Sequence, residues 1–258
     1  MFLDDPRISR VVFYPRKTKI PYDLEENIKP IKLRIDDDIT IGGIQYINKK
    51  NFPTILLFHG NGEVALDYRY FYQKFFNCGV NLAVVDFRGY GFSSGEPTYL
   101  SLIEDALPIY SEFQKYLVNN DFNSSIFVQG RSLGSVCASE IGSNNPDNLK
   151  GIIFESGFAS IYNMMTRLFN VSGPNITPKI LEEYSNHTRV RNFKKPVLII
   201  HGTNDFIIPL SEGEMLYESV PDKIDKKMVV IEGAGHNDIL SRDSKYFSAL
   251  KNFIENNK

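Results

Sequence analysis

The stretch Gly130-Arg131-Ser132-Leu133-Gly134 has the form G-x-S-x-G, and the fold of the chain turns on it. Before it lies Ser125-Ile126-Phe127-Val128-Gln129, a short apolar run that reads as a buried strand. After it, Ser135-Val136-Cys137-Ala138-Ser139-Glu140-Ile141 carries small residues with apolar positions at helical spacing. Strand, sharp turn and helix give the motif its meaning. The turn holds Ser132 in a strained conformation, and glycines two before and two after it let strand and helix pass closely. The hydroxyl then stands at a helix N-terminus, where peptide dipoles favour negative charge. The pattern alone is weak, because chance yields it in roughly one chain in ten of this length. Gly91-Phe92-Ser93-Ser94-Gly95 fits the same expression. No strand directly precedes that stretch and Glu96-Pro97 ends any helix behind it, so it reads as a loop.

Outward from the turn, strands and helices alternate. Thr54-Ile55-Leu56-Leu57-Phe58 is a continuous apolar run, the mark of a strand covered on both faces. Helix about 66–78, strand Leu82-Ala83-Val84-Val85 and helix about 101–118 lead to the Ile126 strand. Beyond Ser132 come strand Ile152-Ile153-Phe154, strand Val197-Leu198-Ile199-Ile200, helix near 212–219, strand Met228-Val229-Val230-Ile231 and helix about 244–255. This rhythm predicts a mostly parallel sheet with helices on both faces, whose ligands bind beyond the carboxyl ends of the strands. Ahead of it, 31–35 and 39–47 read as a hairpin turned by Asp36-Asp37-Asp38, and 8–14 as an apolar run rich in β-formers. The segment 157–195 is too long for an ordinary connection, and its Met164, Met165, Leu168, Phe169, Ile176, Ile180, Leu181 and Tyr184 predict short helices folded over the strand ends as a lid. The alternative is a helical excursion packed on the core with no gating role.

Composition narrows the function. The chain of 258 residues is 42% hydrophobic and carries 29 basic against 31 acidic residues, a net charge of −2, which argues against nucleic acid as a partner. Its two cysteines, Cys78 and Cys137, sit in apolar surroundings; they read as core residues and point to a reducing cytoplasm rather than a disulfide framework. No run approaches the ~20 apolar residues of a membrane span. Met1-Phe2-Leu3-Asp4-Asp5-Pro6 has acids and a proline where a signal peptide would be basic and then apolar. No H-E-x-x-H, paired-cysteine or G-x-x-x-x-G-K pattern occurs, so neither a metal nor a cofactor is expected.

A serine hydroxyl needs a base, and the base an orienting acid. Of the four histidines, His236 lies in the loop Gly233-Ala234-Gly235-His236-Asn237-Asp238 after the last strand, free to reach across to Ser132. His59 and His201 end strands and read as structural, while His187 falls in the insertion. Asp205 follows the Val197 strand, and the order Ser132, Asp205, His236 suits a serine, acid, histidine set; Glu155 and Asp238 are the rival acids. Asp86 reads as a brace for the loop after it. For an oxyanion, the Leu133 N–H follows the nucleophile. A second donor is expected from Phe58-His59-Gly60-Asn61-Gly62-Glu63, Asn61 first and Gly62 as the alternative.

These stretches together, with Asp86-Phe87-Arg88-Gly89-Tyr90-Gly91 and Phe13-Tyr14-Pro15, resemble the α/β-hydrolase superfamily. Within it the chain is similar to the small-lid serine hydrolases of the serine-aminopeptidase-like and prolyl-oligopeptidase-like group, which includes protein depalmitoylases. The resemblance implies one α/β domain over 1–258: a mostly parallel eight-stranded sheet, helices on both faces and a short helical lid at 157–195. It implies a serine hydrolase acting on small-molecule acyl esters or thioesters, without cofactor. A peptidase trimming short peptides, with Glu182 or Glu183 as terminal anchor, is the second reading, and an inactive binding protein on the same fold the third. The chain departs from the group in Ser156-Gly157-Phe158, where a proline-phenylalanine pair is expected, and in showing no N-terminal membrane anchor.

Overall fold

The computed structural model describes residues 2–242 and 244–258. The strands are β1 (Ile28–Arg34), β2 (Thr40–Tyr46), β3 (Thr54–Phe58), β4 (Asn81–Val85), β5 (Ile126–Arg131), β6 (Leu149–Glu155), β7 (Val197–Gly202) and β8 (Lys226–Ile231). They form one eight-stranded sheet in the order β1-β2-β4-β3-β5-β6-β7-β8. β1 runs antiparallel to β2, and β2 to β4; every other neighbouring pair is parallel.

Strand periodicity explains the two cores. Successive side chains point to opposite faces. Leu56, Phe58, Val128, Ile152, Phe154 and Ile199 therefore enter one core, with Leu102, Phe113, Val136 and Ile141 from helices. Ile55, Leu57, Phe127, Ile153, Leu198 and Ile200 enter the other, with Tyr72, Phe75, Tyr246 and Leu250. Each such side chain withdrawn from water contributes about 1.5–3 kcal/mol before the cost of ordering it. The helices that supply these residues are α2 (Tyr72–Phe76), α3 (Tyr99–Glu104), α4 (Ala106–Asn119), α5 (Ser135–Asn144) and, at the C-terminus, α11 (Ser244–Asn257). Helix α9 (Leu210–Ser219) follows β7, and a short α10 (Ile239–Arg242) precedes α11. The expected helix at 66–78 is a 3-10 turn, Ala65–Tyr70, followed by α2. The one expected at 101–118 is split into α3 and α4 at Asp105, whose carboxylate receives Arg88 Nε at 2.6 Å.

The β-rich run at 8–14 turns extended at Phe13, but its residues 8–12 belong to helix α1 (Pro6–Val12). Its start is dictated locally: Asp5 accepts the Arg7 N–H at 2.9 Å as N-cap, and Pro6 occupies the first turn, where no N–H is needed. Val12 is buried while Val11 is 43% exposed, a one-sided burial that the β-branched composition conceals.

Between β6 and β7 the insertion forms α6 (Ile161–Asn163), a π-helical turn Met164–Leu168, α7 (Pro178–Leu181) and α8 (Asn186–Arg189), with 3-10 turns at Glu182–Tyr184 and Val190–Asn192. Both of its ends are fixed. Glu212 on α9 accepts the N–H groups of Ala159 and Ser160 at 2.8 and 3.0 Å and Asn163 Nδ2 at 2.6 Å. Asn186 Nδ2 donates to Ser135 Oγ at 3.0 Å, and Arg189 Nε to Glu140 Oε2 at 2.8 Å. Leu181, Val190 and Phe193 are buried against the core, and Phe169, Val171 and Ile176 pack against its edge, half-buried. Among the described residues no helix is long and apolar enough to cross a membrane.

Candidate active site

The site is assembled where β3, β5, β7 and β8 end. β5 runs through Gly130 and Arg131 and turns at once, with Ser132 at φ +51° before α5 begins at Ser135. A non-glycine residue in that left-handed region costs about 1–3 kcal/mol, so packing has to hold it there. A Cβ on Gly130 would come within 2.5 Å of the Gly134 carbonyl oxygen, and one on Gly134 would collide with the carbonyl of Phe58. The two glycines thus let the turn press against the end of β3, where the loop 59–63 starts.

Around the Ser132 hydroxyl, His236 Nε2 lies at 3.0 Å, and His236 Nδ1 lies 2.7 Å from Asp205 Oδ2. Ser132 is 7% exposed and His236 9%, so the contacts are shielded yet reachable from outside. Asp205 is itself fixed: its Oδ1 accepts the N–H groups of Ile207 and Ile208 at 3.1 and 2.8 Å. Burial alone would raise its pKa. The hydrogen bond and charge of His236 and the Ile208 amide outweigh burial and hold the carboxyl below its ordinary value.

The rival acids are engaged elsewhere. Glu155 receives Arg131, Gln129 and Tyr246, and Asp238 accepts the Gly235 N–H at 2.7 Å and pairs with Arg242. His59 Nδ1 lies 2.8 Å from the Gly60 oxygen, His201 Nε2 2.8 Å from the Ile208 oxygen and His187 Nδ1 3.0 Å from the Ala159 oxygen. Asp86 braces its loop by accepting the Ala65 and Phe92 N–H groups. Among the described residues no group of three or more His, Cys, Asp or Glu is arranged to hold a metal.

In the loop after β3, the Gly60 N–H donates to Glu63 Oε2 at 2.9 Å, which removes it as a donor to substrate. The Gly62 amide, like that of Tyr14, acts on the Tyr90 hydroxyl; burial raises that hydroxyl and the two amides oppose the rise. Asn61 is held by its side chain, which accepts Tyr14 N–H at 3.0 Å and Tyr90 Oη–H at 2.6 Å and donates to the Val12 oxygen at 2.6 Å. Leu133 is buried as the second residue of the 3-10 turn after β5. Sequence reasoning missed Glu63 and the N-terminal clamp on Asn61. The only available signal for Glu63 was a carboxylate at the end of a glycine-containing loop, and the clamp joins residues 47 and 49 positions apart.

The sheet order, the strained serine between β5 and α5, and the histidine and carboxylate on loops beyond later strands define an α/β hydrolase. The chain belongs to the hydrolase family described as serine aminopeptidase, S33, whose model matches residues 49–186. It is 27% identical over 245 residues to protein bem46 of Schizosaccharomyces pombe, covering 92% of this chain and 80% of that protein. It is 28% identical over 206 residues to the human alpha/beta hydrolase domain-containing protein 17B, covering 78% of this chain and 66% of the relative, just under two thirds of its length. Among solved structures it superposes on an esterase of Pyrococcus furiosus with a TM-score of 0.75 at 18% identity, over 94% of this chain and 98% of the other. Est1E from Butyrivibrio proteoclasticus superposes with a TM-score of 0.68 at 18% identity, over 88% and 98%. At such identities the likeness is one of fold.

Proposed function

We propose that the protein is a serine hydrolase that cleaves small-molecule carboxylic esters or thioesters through an acyl-enzyme on Ser132. The observation that carries this reading is the pair of contacts at 3.0 and 2.7 Å running from Ser132 Oγ through the His236 ring to Asp205. With Nδ1–H donating to Asp205, the Nε2 lone pair faces the serine hydroxyl and takes its proton as Oγ attacks the acyl carbon. His236 then gives that proton to the leaving alcohol or thiol. Water, deprotonated by the same nitrogen, releases the acid. The Leu133 and Asn61 amides hold the oxyanion; engagement of the Gly62 amide by the Tyr90 hydroxyl favours Asn61 over Gly62. The residues 1–258 act as one domain, with 157–195 as the lid over the site. Two unpaired buried thiols suit a reducing compartment, the cytoplasm.

Trimming of short peptides is the second reading, favoured by the family's description as serine aminopeptidase. Its proposed anchors are already partnered: Glu182 lies 3.4 Å from His187 Nε2, and Glu183 bonds Tyr184. A fluorophosphonate probe is expected to label the wild type and not Ser132→Ala, and p-nitrophenyl esters to be cleaved far faster than aminoacyl-naphthylamides. Labelling retained in Ser132→Ala sinks the acyl-enzyme; the reverse substrate preference sinks the esterase reading.

A further inference from the structure

We propose that Arg131, the residue directly before Ser132, is a positioning residue whose guanidinium holds the main chain of the base and the oxyanion loop in register with the nucleophile. The proposal rests on the reading of Ser132 and His236 as nucleophile and base. Arg131 is 5% exposed at the end of β5, opposite Glu155 in the β5–β6 register. Nε donates to Glu63 Oε1 at 2.6 Å; Nη1 donates to Glu155 Oε1 at 2.8 Å and to the carbonyl oxygen of His236 at 3.1 Å; Nη2 donates to Asn237 Oδ1 at 3.3 Å.

Each partner leads to a different part of the site. Glu63 Oε2 accepts the Gly60 N–H at 2.9 Å, so the guanidinium reaches the loop that carries Asn61 through a single carboxylate. Glu155 is fully buried, and its Oε2 accepts Gln129 Nε2 at 2.8 Å and Tyr246 Oη–H at 2.6 Å, which anchors the network to α11. The bond to the His236 carbonyl is the informative one. The base sits in a loop with Gly233 at φ +70° and Gly235 beside it, a backbone with little intrinsic stiffness. Fixing that carbonyl fixes the Cα from which the imidazole must span Asp205 and Ser132, and misplacement by about 1 Å costs about 10²-fold in rate.

The group acts as a fixed charge. Burial opposes its protonation, but the two carboxylates prevail and keep it a cation, so it takes no part as acid or base. A lysine would keep the charge and lose the planar fork that serves four acceptors at once. A cavity of about 130 Å³, lined by Glu63, Arg131 and Asn237 among others, adjoins the guanidinium and offers a way in for a small cation.

The test compares wild type with Arg131→Ala, Arg131→Lys and Glu63→Gln in the full chain, by kcat and KM on a p-nitrophenyl ester and by the low-field proton resonance of the His236–Asp205 hydrogen bond. Arg131→Ala is expected to lose about 10²-fold in kcat with KM within about threefold, and to lose or broaden the resonance. Millimolar guanidinium is expected to restore part of the kcat of Arg131→Ala and none in wild type, and Arg131→Lys to fall between. If Arg131→Ala does not fold, Arg131→Lys and Glu63→Gln are expected to show smaller losses of the same two signals. Wild-type kcat in the variants, or an unchanged resonance without guanidinium rescue, overturns the proposal. A wild type inert toward esters defeats the esterase reading instead, and the resonance comparison still decides whether Arg131 positions His236.

Discussion

His236 Nε2 lies 3.0 Å from Ser132 Oγ across 104 residues of chain. β8, which leads to His236, stands three strands from β5, roughly 14 Å away at ~4.8 Å per strand. The loop must therefore double back over the ends of β7 and β6. It is tied along the way: the Gly233 N–H donates to Thr203 Oγ1 at 2.8 Å, the Asn204 N–H to the Ala234 oxygen at 2.9 Å, and Arg131 to the His236 oxygen at 3.1 Å. The histidine arrives at the serine because the loop is pinned to both β7 and β5.

The proposed role of Asp205 as orienting acid is tested by Asp205→Asn, which keeps the shape and removes the charge that favours the Nδ1–H tautomer. A loss of about 10³–10⁴ in kcat is expected, with probe labelling slowed in parallel. Because residues acting as one unit are not additive, Asp205→Asn combined with Ser132→Ala should be no slower than Ser132→Ala alone. A fall of less than tenfold for the single change would return the role to another carboxylate.

Strain at Ser132, the proposed nucleophile, is expected to show as stability. Ser132 occupies φ +51°, a region open to glycine without penalty. Ser132→Gly should therefore be inactive yet more stable by about 1 kcal/mol, measured by urea unfolding, with Ser132→Ala showing no such gain.

His201 sets a pH dependence. Its Nε2 faces the Ile208 oxygen at 2.8 Å, while its Nδ1 is buried without a partner among the described residues. Burial lowers its pKa, and the Ile208 oxygen and Asp205 oppose this without cancelling it. The unfolded chain takes up a proton near pH 6.5 that the folded chain refuses. This contribution is complete above that value and is lost as the pH falls below it towards the folded pKa. Unfolding free energies between pH 7.5 and 5 should decline in wild type and decline less in His201→Gln; equal slopes would remove His201 as the cause.

The thiols are expected to be inert in the folded protein. Burial pushes Cys78 up to about 12 and Cys137 well above its ordinary value. A disulfide reagent at pH 8 should titrate neither in the native protein and both in denaturant. Rapid reaction of one in the native state would mean that its surroundings open readily.

The sequence alone determined what depends on neighbours along the chain. The alternation of apolar runs and helical spacing marked β3 to β8 and the helices between them, because strand and helix periods are local properties. The strand, serine turn and helix at 126–144 were legible for the same reason. Locality also misled: Ile8, Val11 and Val12 read as β-formers, but Asp5 and Pro6 start a helix that needs only one buried face. Tertiary structure decided every contact between distant segments. It set His236 against Asp205 rather than Asp238, placed Glu63 and Glu155 on either side of Arg131, and fastened Asn61 to the N-terminal segment. Such contacts depend on the order in which the strands pair and on which loops double back. Those follow from how the two faces of the whole sheet are covered, a property that no short stretch of residues contains.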